Sequence, residues 1–204
     1  GFFNFFVIQC DQPFVSSGTW RKRENGDPEV STTPSISGHQ VGAYLEFRPG
    51  LTVNVRVASS YINPDQAKLN LQREFGDAPN LETVRDAARR TWNRTLGKVR
   101  IEGGTEEEHR TFYSCLFRAS LFPRKFYEQD ISGSFCYRSP YDGNVHSGFM
   151  YTDTGLWDTF RAQMPLNMLL RPQMSGRYVH SLLRAYEQCG WLPSWSFPGE
   201  GGSM

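Results

Sequence analysis

The sequence has almost no excess charge. Its 22 Lys and Arg stand against 21 Asp and Glu, which leaves the 204-residue chain at +1 with its four histidines neutral. That balance excludes the broad basic footprint of a nucleic-acid binder. No apolar run approaches the ~20 residues that cross a bilayer, so no membrane span is expected. The opening GFFNFFVIQC has neither a basic start nor a small-residue cleavage site of the secretory kind. Cysteine is sparse: Cys10, Cys115, Cys136 and Cys189 lie far apart, without a C-x-x-C or a neighbouring histidine pair. A zinc cluster is thereby excluded, and mostly buried free thiols are expected. The chain also lacks G-x-S-x-G, a Walker loop, G-x-G-x-x-G and H-E-x-x-H, which removes support for acyl and phosphoryl transfer. There is no internal repeat and no alternation of strands with helices, so a parallel βαβ fold is not expected.

What the chain does have is aromatic residues, with 15 Phe, 9 Tyr and 5 Trp making up 14% of it. They suit a heavy core, and they also provide flat faces for stacking on ligands. Residues 1 to 60 read mainly as strands. His39 to Phe47 and Leu51 to Ala58 are β-rich runs around the turn signal Arg48-Pro49-Gly50, an expected hairpin. The polar stretch from Thr19 to Gly38, with Glu24-Asn25-Gly26-Asp27-Pro28 inside it, is expected as a tight turn or exposed loop.

At Asn63-Pro64-Asp65 the period changes. An Asn N-cap, Pro at the first position and an early carboxylate open a helix with Ala67, Leu71 and Phe75 on one face. A second helix is expected from about Leu81 to Leu96, with Leu81, Val84, Ala88, Thr91, Trp92 and Thr95 packed inward and Gly97 at its end. A short strand over Lys98 to Glu102 follows. Thr105 and Glu108 then form a capping box for a helix that packs Phe112, Tyr113, Leu116, Phe117 and Ser120 and ends at Pro123. Residues 124 to 151 are extended and turning. Two helices complete the pattern, about 155 to 170 and 173 to 189, with Gly190 as a C-cap.

Carboxylates and aromatics collect in YTDTGLWDTFRA at 151 to 162 and GWLPSWSFPGEGGSM at 190 to 204. Thr152, Asp153 and Thr154 offer helix caps, placing Trp157 and Asp158 in the first turn, where the helix dipole favours an ionised Asp158. Arg161, three residues on, is spaced to pair with it. These features equally describe a surface acid beside a core indole. The sharper reading is a sugar site, since a fixed carboxylate accepts from vicinal hydroxyls and an indole covers the C–H face of the ring. Trp191, Trp195 and Phe197 add loop aromatics before Glu200, which sits among glycines that let a backbone come close to a ligand. Tyr141, Asp142 and His146, in a turn region, are lesser candidates.

Read in order, these segments resemble glycoside hydrolase family 92, the exo-acting α-mannosidases. PFVSSGTW at 13 to 20, VGAYLEFRPGLTVNVRVASSYI at 41 to 62, RIEGGTEEEHRTFYSCLFRASLFPRKFYE at 100 to 128, and the WDTFRA and GWLPSW segments carry the likeness. The resemblance implies an α+β multidomain fragment. Residues 1–62 would be the C-terminal part of a β-sandwich, 63–97 a helical linker and 98–204 the first helices of an (α/α)6 barrel, with the active site between sandwich and barrel. It implies calcium-dependent hydrolysis of terminal α-mannosides with inversion, so that mannose-containing glycans and the remainder of the same polypeptide are the expected partners. It places Trp157 and Asp158 in the terminal mannose subsite, with Glu200 in a loop near it. The general acid and general base are expected in later barrel motifs beyond Met204 and the calcium ligands outside these residues, so no catalytic residue and no metal ligand are assigned within them. An internal piece of a longer, secreted or periplasmic enzyme is therefore expected, inactive alone. A noncatalytic carbohydrate-binding protein is the alternative from another class, and a purely structural role is the third.

Overall fold

The computed structural model describes residues 3–23, 26–76 and 80–198. The chain divides into two compact units, one of residues 8–56 and one of residues 1–7 with 57–204.

In the first unit, strands β2 (Ser16–Lys22), β3 (Pro28–Ser31) and β4 (Val41–Glu46) form an antiparallel sheet in the order β3-β2-β4. Thr19 faces Ser31 on one side and Ala43 on the other. The polar stretch expected as a tight turn or exposed loop thus contains a tight turn, with paired strands on either side of it from Thr19 to Ser31. Its turn is tied by Gly26 N–H to the Arg23 carbonyl and Arg23 N–H to the Asp27 carbonyl. The expected pairing of 39–47 with 51–58 is not made. Strand β4 is taken by β2, while β5 (Val55–Ser60) pairs with β1 (Phe5–Cys10). Asp11 fixes the start of β5: its carboxylate accepts from Asn54 N–H at 2.9 Å and from Asn54 Nδ2 at 2.6 Å, and its own N–H reaches the Asn54 carbonyl. These bonds hold the Asp11 carboxyl below the usual range, the Asn54 side-chain bond contributing most.

In the second unit the helices start where local chemistry directs. The Asn63 side chain accepts from Gln66 N–H, Pro64 is the first residue, and α1 (Pro64–Phe75) buries Ala67 and Leu71. Helix α1 is fastened to the following irregular layer through Glu128, whose carboxylate accepts from Tyr61 N–H at 2.8 Å and Asn70 Nδ2 at 2.6 Å. Helix α2 (Leu81–Leu96) is capped by Asn80, but it buries none of its side chains fully and Leu81 is 70% exposed. Its expected inward stripe is reduced to partial cover, chiefly Trp92 against Phe117 at 4.5 Å between ring centres. Residues 98–102 form no strand, having no strand partner; the Val99 carbonyl instead accepts from the Tyr113 hydroxyl. The Thr105–Glu108 capping box then opens α3 (Glu106–Ala119).

Six short strands follow: β6 (Arg124–Lys125), β7 (Glu128–Gln129), β8 (Phe135–Arg138), β9 (Val145–Ser147), β10 (Tyr151–Thr152) and β11 (Thr154–Gly155). Around them lies the core, in which Phe126, Tyr137 and Met150 are buried under Tyr61, Tyr127 and Tyr141. The expected helix over 155–170 is interrupted. Only α4 (Leu156–Thr159) and α5 (Gln163–Leu170) form. Pro165 explains the break, because in a continuous helix its ring would collide with the Arg161 carbonyl and its missing N–H would leave that carbonyl unpaired. Helix α6 (Pro172–Cys189) ends as expected on Gly190, whose φ of 80° is left-handed. A last strand, β12 (Trp195–Ser196), pairs with β11. All four cysteines are free, as expected, but Cys115 and Cys189 are exposed and Cys10 and Cys136 half-buried, and none belongs to the core just described.

Candidate functional site

The pairing of β11 with β12 builds the site, because it sets Gly155 directly opposite Trp195. A Cβ on Gly155 would lie 2.1 Å from Cε3 of Trp195 and 3.0 Å from Oδ2 of Asp158. Only glycine lets the indole lie so close to the strand with the carboxylate alongside. Around these groups is a cavity of about 390 Å³ lined by Phe122, Thr154, Gly155, Thr159, Gln163 and Phe197, together with Asp153, Asp158 and Trp195. Trp195 stacks on Phe197 at 5.6 Å between centres. Gln163 ties the cavity to the end of α3, its Nε2 donating to the carbonyls of Ala119 and Phe122.

Asp158 and Trp157, adjacent in sequence, take different places. Asp158 lines the cavity, whereas Trp157 is 59% exposed, outside the lining and tilted against Trp195 at 6.3 Å between centres. The expected Asp158–Arg161 ion pair does not form. After the single turn of α4 the chain leaves the helix, so the three-residue spacing no longer puts both side chains on one face, and the Arg161 guanidinium sits over the Phe160 ring at 5.4 Å. Among the described residues the Asp158 carboxylate has neither ion pair nor hydrogen bond, leaving its acceptor capacity for a ligand. The expected side-chain caps are also absent. Gly155 is the N-cap, because Thr152 and Thr154 are engaged in strands, and a four-residue helix supplies little dipole to Asp158.

Glu200 lies outside the described residues. Trp191, 79% exposed, does not line the cavity. Tyr141, Asp142 and His146 do not line it either. His146 Nε2 is 2.8 Å from Asp142 Oδ2, and although partial burial opposes it, bonds from Asn144 and His146 hold the Asp142 carboxyl below its usual range. Burial pushes the Tyr141 hydroxyl up, and its bond with Ser196 connects it to β12.

Sequence reasoning missed Asp153 as a lining group. It stands between β10, paired with β6, and β11, paired with β12, at a φ of 61°. Arg124, one register step away opposite Thr152, brings its Nε to 2.7 Å from Asp153 Oδ2. The contact is an ion pair by distance and is not aligned as a hydrogen bond. In sequence this aspartate reads as a helix cap, and only the switch of strand partners turns it into the cavity. Calcium, implied by the resemblance, does not fit these side chains. Among the described residues no three His, Cys, Asp or Glu converge, and Asp153 is already paired with Arg124.

With that geometry in place, likeness to known proteins decides the family. The family model described as the glycosyl hydrolase family 92 catalytic domain matches residues 66–204. The chain belongs to glycosyl hydrolase family 92. A solved family GH92 inverting mannosidase from Bacteroides thetaiotaomicron VPI-5482 is 44% identical with a TM-score of 0.91, over 98% of this chain and 27% of that one. The solved GH92 family glycosyl hydrolase ccman5 is 27% identical with a TM-score of 0.78, over 91% of this chain and 24% of its own. An uncharacterized secreted glycosidase of Arthroderma benhamiae is 32% identical over 94 residues, which are 43% of this chain and 12% of that protein. This family 92 chain therefore spans about a quarter or less of the length of these relatives. It is a mixed α+β structure resembling part of a family 92 enzyme.

Proposed function

We propose that the polypeptide to which these residues belong is an inverting, calcium-dependent α-mannosidase that removes terminal α-linked mannose from glycans, and that the cavity at Asp158 and Trp195 holds the terminal mannosyl unit. One observation carries the reading: a chain 44% identical to an inverting mannosidase has a free carboxylate, Asp158, and an aromatic wall in one cavity. A sugar ring needs both, hydroxyls to donate to a carboxylate and a C–H face to lie on an aromatic plane. The proposed subsite contains Asp158 and Trp157, with Trp157 supporting Trp195 from outside the cavity, and Glu200 is proposed as a further binding residue.

On this reading residues 1–62 belong to a β-sandwich, 63–97 to a linker and 98–204 to the first helices of an (α/α)6 barrel. Inversion needs one acid on the leaving oxygen and one base on a water across the ring, their carboxyl groups ~6.5–9.5 Å apart. Both are assigned outside these residues, as are the calcium ligands. Export from the cytoplasm is proposed from the secreted Arthroderma benhamiae relative.

The test is proton NMR of the whole protein turning over an α-mannoside with calcium present. β-Mannose should be the first product. α-Mannose first would contradict inversion, and no release of mannose would contradict the mannosidase reading.

A further inference from the structure

The cavity holds a second carboxylate with no assigned task. We propose that Asp153, together with the Thr154 hydroxyl, is a specificity-determining pair that reads a sugar hydroxyl different from the one read by Asp158, an inference that rests on the sugar-site reading above.

Three features of the chain point there. First, Asp153 is held from both sides. Its backbone is left-handed at a φ of 61°, its N–H donates to the Ser196 carbonyl at 2.6 Å, and its neighbours Thr152 and Thr154 belong to strands with different partners. Left-handed backbone at a residue other than glycine is costly, and aspartate is one of the few side chains that tolerates it. Second, the carboxylate is largely enclosed, with a side-chain exposure of 17% against 55% for its ion-pair partner Arg124. Arg124 neutralises the charge without a hydrogen bond, and Oδ2 has no hydrogen-bond partner among the described residues. An ionised carboxylate offers about four acceptor positions, so capacity remains for a donor from the cavity.

Third, Thr154 lines the cavity and is only 3% exposed, yet its hydroxyl has no partner among the described residues. Trp195 Nε1 is in the same position. Buried polar groups are ordinarily satisfied, and leaving one without a partner is costly. A ligand hydroxyl in the cavity would donate to Asp153 and accept from Thr154, and a second acceptor on the same ligand would take the Trp195 Nε1 proton, resolving all three. The ligand class follows from the lining, which among the described residues carries two carboxylates and no Lys, Arg or His. It fits a neutral polyhydroxylated ring and disfavours a sugar carrying a carboxylate or phosphate at this position.

The experiment is calorimetric titration of the whole protein with mannose and with its 2-, 3-, 4- and 6-deoxy analogues, for the unmodified chain and for Asp153→Asn, Asp153→Gly and Asp158→Asn. Asn and Gly both accept the left-handed backbone, which separates the loss of the carboxylate from misfolding. Asp153→Asn should weaken mannose binding by about 10-fold or more. One deoxy analogue should bind the variant and the unmodified chain equally, and it should differ from the analogue that becomes insensitive in Asp158→Asn. Equal weakening toward every analogue would overturn the inference, because it would mean that Asp153 acts only through the shape of the turn. Full binding by both Asp153 variants while Asp158→Asn loses it would overturn the inference and leave the sugar site standing. Absence of mannose binding by the unmodified chain, or no effect of any variant, would overturn the inference together with the sugar-site reading.

Discussion

Gly155 is the residue whose identity the cavity depends on most strictly, because a methyl group there has no space that the Trp195 ring does not already fill. The overlap at 2.1 Å is with the rigid six-membered part of an indole, which cannot yield without moving β12 or leaving its stack on Phe197. Gly155→Ala should therefore lower stability by about 1–3 kcal/mol, the range for overpacking a filled site. It should also shift the tryptophan emission. Urea denaturation followed by fluorescence reads both, and an unchanged midpoint would show that Trp195 is free to move. Asp158 differs in kind, since nothing among the described residues holds its carboxylate. It was legible in sequence as a carboxylate beside an indole, although the indole that lines the cavity with it is Trp195 and not its neighbour Trp157. Trp195 is brought in from 37 positions later by its strand pairing opposite Gly155, and Trp157 tilts against it from outside. Asp153 was hidden because its role depends on backbone handedness and on a change of strand partner, neither of which residue spacing encodes.

The helices were legible where their ends are chemical. Asn63, Thr105 and Gly190 do what their side chains, or the lack of one, dictate locally. Asn63→Ala should cost about 1 kcal/mol by removing the bond to Gln66 N–H, read as a lower thermal midpoint by circular dichroism. No change would mean that packing alone starts α1. The capping box of α3 adds a pH dependence. Bonds from Thr105 N–H and its hydroxyl hold the Glu108 carboxyl below its ordinary value of 4.5. A carboxyl lowered in the folded state stabilises fully above its unfolded value and loses that contribution as pH falls through its folded value. Stability from this end should therefore persist above pH 4.5 and fade on acidification below it, and Glu108→Gln should flatten that part of the acid titration. The strands were less legible, because pairing is non-local. The run 51–58 alternates correctly, but Asp11 rather than the turn at 48–50 decides its partner. Likewise α4 and α5 read as one helix until the effect of Pro165 on the preceding turn is counted.

For the molecule as a whole, the core is aromatic and partly polar, and this has consequences at high pH. Tyr178, 3% exposed, has its hydroxyl pushed up to about 12 by burial, from an ordinary 10. The unfolded chain ionises first, so stability should be lost progressively as pH rises from 10 toward about 12. Tyr178→Phe should reduce that alkaline sensitivity in equilibrium unfolding, whereas an identical alkaline limb would place the effect elsewhere. The chain also spans 27% of the Bacteroides thetaiotaomicron mannosidase it resembles along nearly all of its own length, and in the proposed function these residues bind the sugar while bond cleavage belongs elsewhere. The isolated 204 residues should then release no mannose from an α-mannoside with calcium present. Measurable turnover by them would place the acid and base within this chain.

The claim on which these points converge is that the Asp158 carboxylate holds the sugar about to be cleaved. Its most direct test is kcat/KM of the whole protein on an α-mannoside, with and without Asp158→Ala. Losing charge-assisted hydrogen bonds that the transition state uses should lower the value by about 100-fold or more. A near-normal value would return Asp158 to the role of a solvated surface acid and contradict the account.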